Sequence, residues 1–379
     1  MNINDFFETA VEKKASDIHL IAGRPPILRI DGKLVAIPKA AELSRTDLEK
    51  MVFSILTPNQ KEKFLTERDL DLSYEISDGS RFRVNILWEK NNVALVARII
   101  SSKIPTMENI GMPQIVYKMT RAHQGLILVT GPTGCGKSTS LAAMINLINK
   151  ERVANIVTLE DPIEFIFKSE KSVIMQRQLN IDMNNFASAL KHVLRQDPDV
   201  IMVGEMRDLE TIAATITLAE TGHLVLATLH THNAAQTIDR VVDVFPPFQQ
   251  NQIRLQLSMS LNGVISQQLL PKLDGGRIAA REVMINTPAI ANIIRENKIP
   301  QIKTAIQTSA DEGMVTLEQD LVRLVKNKLV EKEVAEYYLE ILPKIWWLRI
   351  DLKKALGFYS TFFKLCQLAF ILLLIYNKI

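Results

Sequence analysis

The sequence predicts an α/β protein in two parts, on three grounds. Short apolar runs alternate with helical patterns between residues 114 and 275. The segment Gly131-Pro132-Thr133-Gly134-Cys135-Gly136-Lys137-Ser138 lies between one such run and one such pattern. Ahead of both, residues 1–103 show short extended segments and hairpin turns, which suggests a small, mostly antiparallel α+β unit. A chain of 379 residues has room for two packed domains.

Taken in order, Ile3, Phe6, Phe7, Ala10 and Val11 recur at the spacing of one helix face, so a helix is expected over 3–14. Strands are expected at 17–21, 27–30 and 34–37, the last two joined by an Asp31-Gly32 turn. Ser44 and Asp47 form a helix start ahead of Leu48, Met51, Val52 and Ile55. A second hairpin is expected around Asp78-Gly79, with strands at 70–76 and 81–87 and another at 93–100. Residues 104–113, broken by Pro105, Gly111 and Pro113, read as a linker. Buried strands follow at 126–129, 156–159, 200–203 and 224–229, with a helix from Lys137 to about Ile148. Apolar strands interleaved with helices imply a largely parallel sheet covered on both faces, assigned to 114–275. After Pro246-Pro247 the pattern reads as mainly helical, including 249–270 and a helix opened by Thr287-Pro288. Residues 276–343 are taken as a helical C-terminal part, and 344–379 as a basic and apolar tail.

Composition narrows the class. Nearly half the residues are apolar and about a quarter charged, as in soluble globular proteins. Two cysteines, Cys135 and Cys366, suit a reducing compartment and exclude a four-cysteine zinc site. The formal net charge of +3 is an effect of the tail, where Lys344, Arg349, Lys353, Lys354, Lys364 and Lys378 face only Asp351. The remaining body is slightly acidic, which argues against nucleic-acid binding. The N-terminus lacks the basic and apolar regions of a signal peptide.

Four motifs carry chemistry. The glycine-rich segment is a complete P-loop, whose backbone N–H groups and following helix N-terminus hold phosphate oxygens. Lys137 is expected on the β- and γ-phosphates, and the Ser138 hydroxyl on Mg²⁺. For Cys135 two readings stand: a thiolate switch beside a helix N-terminus, or a small side chain in a tight loop. Next, Glu160, Asp161 and Glu164 cluster at the end of an expected strand, placed to hold Mg²⁺ through water or to orient the attacking water. The strand at 200–203 runs into Gly204-Glu205 and resembles a Walker B element with glycine where the aspartate usually stands. That makes Glu205 the candidate general base. His223 and His230 bracket the strand at 224–229, which suggests a polar relay to the γ-phosphate.

Together GPTGCGKST, TLEDPIEF, DPDVIMVGEMRDLET and ETGHLVLATLHTHNAAQTIDR resemble the secretion-ATPase superfamily, within it the type IV pilus retraction (twitching motility) ATPases of the PilT family. EKKASDIHL, GRPPILRIDGKL, RFRVN and the segment from Thr287 to Leu329 extend the resemblance to about residue 340. It implies a PAS-like N-terminal domain, a RecA-like ATPase domain and a homo-hexameric ring that uses ATP and Mg²⁺ to drive pilin removal. It further implies a nucleotide site of residues 131–138 with Thr139, an Asp box of Glu160, Asp161 and Glu164, a catalytic Glu205, and a His box of His223 and His230. Arginines of N-terminal strands approach the phosphates in such proteins. Arg83 and Arg98 are the choices here and Arg81 the reserve, against ordinary surface pairing. Implied partners are the inner-membrane platform protein of the pilus machinery and a paralogous retraction ATPase, at the cytoplasmic face of the inner membrane. Ala291 departs from the family, which carries arginine there. The tail also departs, and a peripheral anchor, a spanning helix and a frame artefact all stay open for it. An accessory PilU-like role, or an assembly or type II secretion ATPase, are the alternatives. The longer N-terminal region and the four-cysteine element usual in that last group are missing from the sequence.

Overall fold

The computed structural model describes residues 2–30, 32–38, 40–100 and 103–339. The expected tail therefore lies outside the described residues, as does Asp31 of the first hairpin turn. In chain order the elements are α1 (Ile3–Glu12), β1 (Asp17–Leu20), β2 (Ile27–Ile30), β3 (Lys33–Ala36), α2 (Arg45–Ser54), α3 (Pro58–Glu67), β4 (Asp69–Glu75), β5 (Arg81–Glu89) and β6 (Asn92–Ile100). There follow α4 (Gln114–Thr120), β7 (Gly125–Thr130), α5 (Lys137–Glu151), β8 (Asn155–Glu160), β9 (Val173–Gln178), α6 (Phe186–Val193), β10 (Val200–Val203), α7 (Leu209–Glu220) and β11 (Leu224–Leu229). The last are α8 (Ala234–Asp243), α9 (Pro247–Ser260), β12 (Leu261–Pro271), β13 (Arg277–Ile285), α10 (Pro288–Arg295), α11 (Ile302–Thr308) and α12 (Leu317–Lys326).

The first six strands form an antiparallel sheet ordered β3-β2-β1-β6-β5-β4. Its core is closed by α1, whose Ile3, Phe6, Phe7 and Ala10 lie on one face and are buried together. Asn2 and Asp5 form a capping box that opens this helix. Neither sequence spacing nor alternation announced α3, a mostly polar helix held by Thr57 and Gln60 at its start and by the buried Phe64.

The other seven strands form a mixed sheet ordered β13-β12-β7-β11-β10-β8-β9. All neighbours run parallel except β12 and β13. Helices cover both faces: Leu141, Met144 and Ile145 of α5 on one side, and residues of α6, α7 and α8 on the other. The expected strands and the Thr287-capped helix stand where the sequence placed them.

One stretch differs from expectation. The helix read over 249–270 ends at Ser260, and Leu261–Pro271 is β12, beside the central strand β7. Residues 277–285, assigned to a helical part, form its antiparallel partner β13. Almost every residue of β12 between its ends is buried, so no in–out alternation betrays the strand. Gly263 packs where a side chain would meet Met119 and the Met284 backbone. Among the described residues no helix is long and apolar enough to cross a membrane.

Candidate active site

The fully buried β7 ends at Thr130, and the chain then turns through Gly131 at φ 142°. A Cβ on Gly131 would lie 2.3 Å from the Gln267 carbonyl oxygen and 2.6 Å from Cys135 Sγ, so only glycine fits. The loop leads into α5, whose N-cap Gly136 supplies no side-chain hydrogen bond, leaving the helix's first N–H groups to face the site. Lys137 Nζ donates to the carbonyls of Gly131 at 2.9 Å and Pro132 at 3.1 Å, and lies 3.4 Å from His230 Nδ1. Burial lowers its pKa, an effect opposed by the surrounding acids Glu205 and Glu164.

From below, β12 clamps the loop. Gln267 Nε2 donates to the Cys135 carbonyl at 2.8 Å, and its Oε1 accepts from Ser140 of α5 at 2.9 Å. Thr130 and Ser266 share a buried hydroxyl contact at 2.8 Å. Gln267 was not foreseen, because its strand was read as helix. Burial pushes the Cys135 thiol up despite nearby Lys137, which favours a small buried side chain over a thiolate switch.

Glu205 follows β10, and His230 follows β11. His230 Nε2 sits 3.0 Å from Glu205 Oε1, while Arg207 Nη2 donates to Glu205 Oε2 at 2.8 Å. Burial opposes ionisation of Glu205, but the Arg207 hydrogen bond and the charge of His230 outweigh it and hold the carboxyl below its ordinary pKa. Arg207 also reaches toward Asp161, at 3.8 Å. It was overlooked although it lies two residues beyond the proposed base. Gly204 is explained by crowding: its N–H donates to the Leu159 carbonyl at 2.7 Å, and a Cβ would stand 3.1 Å from that oxygen.

The acidic cluster divides. Glu160 is buried and accepts from Thr158 at 2.6 Å and Gln176 at 3.0 Å. Burial raises its pKa to about 6, those hydrogen bonds offsetting part of the effect. Asp161 and Glu164 are exposed, and the Glu164 charge acts on both Lys137 and Glu160.

Three expected residues are not brought to this cluster. His223 precedes β11, whose six residues span about 20 Å, so it sits at the opposite edge of the sheet from His230. There its Nδ1 donates to the Leu218 carbonyl at 3.1 Å. Within one chain, therefore, the length of the strand keeps the two histidines apart. Arg83 and Arg98 face each other across β5 and β6 and are exposed, with Arg98 paired to Asp17 at 2.8 Å. Neither hydrogen-bonds to a P-loop residue within the described chain.

A glycine cradle at a strand end, a lysine within it, and a glutamate–histidine–arginine network beside it define a P-loop nucleotide-binding protein of the α/β class. Residues 1–336 match the family described as Type II/IV secretion system protein, and the chain belongs to that family. It is 46% identical over 335 residues to the type IV pilus retraction ATPase PilT of Pseudomonas aeruginosa, spanning 88% of this chain and 97% of that one. It is 47% identical over 316 residues to a twitching motility protein of Neisseria gonorrhoeae, spanning 83% and 84% respectively. The crystal structure of the pilus retraction motor PilT with bound ADP superimposes with a TM-score of 0.84 at 44% identity, covering 88% of this chain and 96% of that one.

Proposed function

We propose that this chain is a hexameric ATPase motor that hydrolyses ATP to drive type IV pilus retraction in twitching motility. The observation that carries it is the continuous contact from Lys137 through His230 to Glu205 and Arg207 beside the P-loop. ATP phosphates lie in the N–H cradle of residues 131–139, with Lys137 on the β- and γ-phosphate oxygens. Ser138 is the residue that would hold Mg²⁺, which would neutralise developing phosphate charge.

Glu205, kept ionised, accepts a proton from water as that water attacks the γ-phosphorus and the bond to the β–γ bridging oxygen breaks. His230 fixes the carboxylate and faces the transferred group, while Asp161 and Glu164 orient water near Lys137. Glu160 braces the strand end. Arg83 and Arg98, on the open face of the first sheet, serve a neighbouring subunit's phosphates.

In this assignment residues 1–103 are PAS-like, 104–113 the linker, 114–275 the RecA-like core, and 276–343 its C-terminal part with β13 joined to the sheet. The ring works against the inner-membrane platform protein at the cytoplasmic face. Two experiments test the proposal. Glu205→Gln should lower ATPase turnover by about 10²–10³-fold, and unchanged turnover would remove the catalytic assignment. A deletion strain should stay piliated without retracting, and normal retraction there with no accessory ATPase present would sink the motor.

A further inference from the structure

Two adjacent residues of β13, Arg281 and Glu282, are charged side chains buried in the body of the protein, and the mechanism above uses neither. Arg281 is 2% exposed and Glu282 6% exposed. Buried charges are costly unless paired, so their partners identify what they hold.

Successive residues of a strand point to opposite faces of its sheet. Glu282 lies on the α8 side. Its Oε1 accepts a buried hydrogen bond of 2.7 Å from the N–H of Ala234, the first residue of α8. Only Thr231, His232 and Asn233 separate that N–H from His230. The short connection is braced further by a Thr231–Thr237 hydroxyl contact at 2.7 Å and by the Asn233 cap. Glu282 thus sets where α8 begins and, through it, where His230 meets Lys137 and Glu205.

Arg281 lies on the α5 side, opposite Gln267 in register, the residue that clamps the P-loop. Its guanidinium donates to the carbonyls of Ile110 and Gly111, each at 3.0 Å. These are the turn residues that lead from the first sheet into the second, and their neighbours Met107 and Met112 are buried in the same core. Asp320 of α12 receives the Arg281 backbone N–H at 2.8 Å and lies close enough to offset part of the cost of burying the charge. The guanidinium stays cationic even so, its pKa lowered by burial only to about 10.

We propose that Arg281 and Glu282 form a strut through the second sheet that ties the position of His230 to the turn at Ile110-Gly111. The peptide joining the two residues lies within a paired strand, so a shift imposed at Ala234 passes to the linker without an intervening hinge. Glu282 is a positioning residue for His230, and Arg281 is the anchor of the interdomain turn. The proposal rests on nucleotide acting at the P-loop as described above.

The test is hydrogen–deuterium exchange on the full chain with ADP and with a non-hydrolysable ATP analogue, beside steady-state ATPase kinetics. In the parent protein, amides 231–234 and 110–112 should change protection together between the two nucleotides. In Glu282→Ala the response at 110–112 should disappear, and kcat should fall on the order of tenfold with KM little changed, as expected for one buried hydrogen bond. Glu282→Gln, whose amide oxygen still accepts from Ala234, should restore both. Arg281→Met should lose the response at 110–112 while 231–234 still responds. A parent protein in which the two segments respond separately overturns the strut, and so does a Glu282→Ala variant that keeps both turnover and the coupled response. A parent without any response at 231–234 overturns the P-loop reading along with it, whereas an ATP-hydrolysing parent with indifferent variants overturns the strut alone.

Discussion

The two sheets bury their strands differently, and that difference decides where each can carry function. In the antiparallel sheet β5 alternates: Phe82, Val84 and Ile86 are fully buried while Arg83 between them is exposed. In the mixed sheet β7, β10 and β11 are buried at every residue. A strand covered on both faces has no position left that meets solvent, so reactive groups project only beyond its ends. Lys137, Glu205 and His230 all follow such ends. A half-open sheet displays its charges broadside, whereas the closed sheet concentrates them along one edge.

Substitutions break or sharpen this contrast. The largest effects belong to the edge of the closed sheet. Lys137→Ala and Glu205→Gln should each reduce kcat by about 10²–10³-fold without unfolding the chain, measured by phosphate release and circular dichroism. Within that sheet, Leu226→Ala should cost about 2–5 kcal/mol in urea unfolding, because its cavity has packed walls on either side. Glu282→Gln should show a pH-dependent gain. Burial raises the Glu282 pKa to about 7 from 4.5, the Ala234 N–H and Lys303 opposing and Glu318 adding to it. The native carboxyl is therefore protonated without penalty below pH 4.5, and the cost of ionising it is complete only above pH 7. The variant's advantage should grow across that window to roughly 3 kcal/mol at most, read from melts at several pH values. The smallest effect on stability is expected on the open face. Arg83→Ala should leave the melting midpoint within about 2 °C, yet lower turnover if, as proposed, the residue serves a neighbouring subunit. A large loss of stability there would mean that the face is structural.

Much of both regions was legible in the sequence, for different reasons. The antiparallel strands were found through alternation and turn residues, and the closed strands through apolar runs placed between helices. The P-loop was visible because its backbone geometry demands glycine, and Glu205 because a buried strand runs straight into it. β12 was hidden because Leu261 to Leu270 is buried on both faces, which leaves helix and strand indistinguishable by period. Gln267 was hidden with it. The separation of His223 from His230 within the chain was hidden because adjacency in a motif says nothing of strand length. Arg207 was available within the same run as Glu205, but its role depends on which carboxylates the fold brings near it.

The position of β7 has a consequence for the birth of the protein. Its two neighbours in the sheet are residues 224–229 and 261–271, both far downstream. A ribosome must therefore deliver Pro271 before the strand that launches the P-loop is shielded on both sides. Until then Leu126 and Leu128 belong to an unfinished, adhesive edge. A message truncated between codons 241 and 260 would encode every nucleotide motif named above and still yield a chain destined for proteolysis.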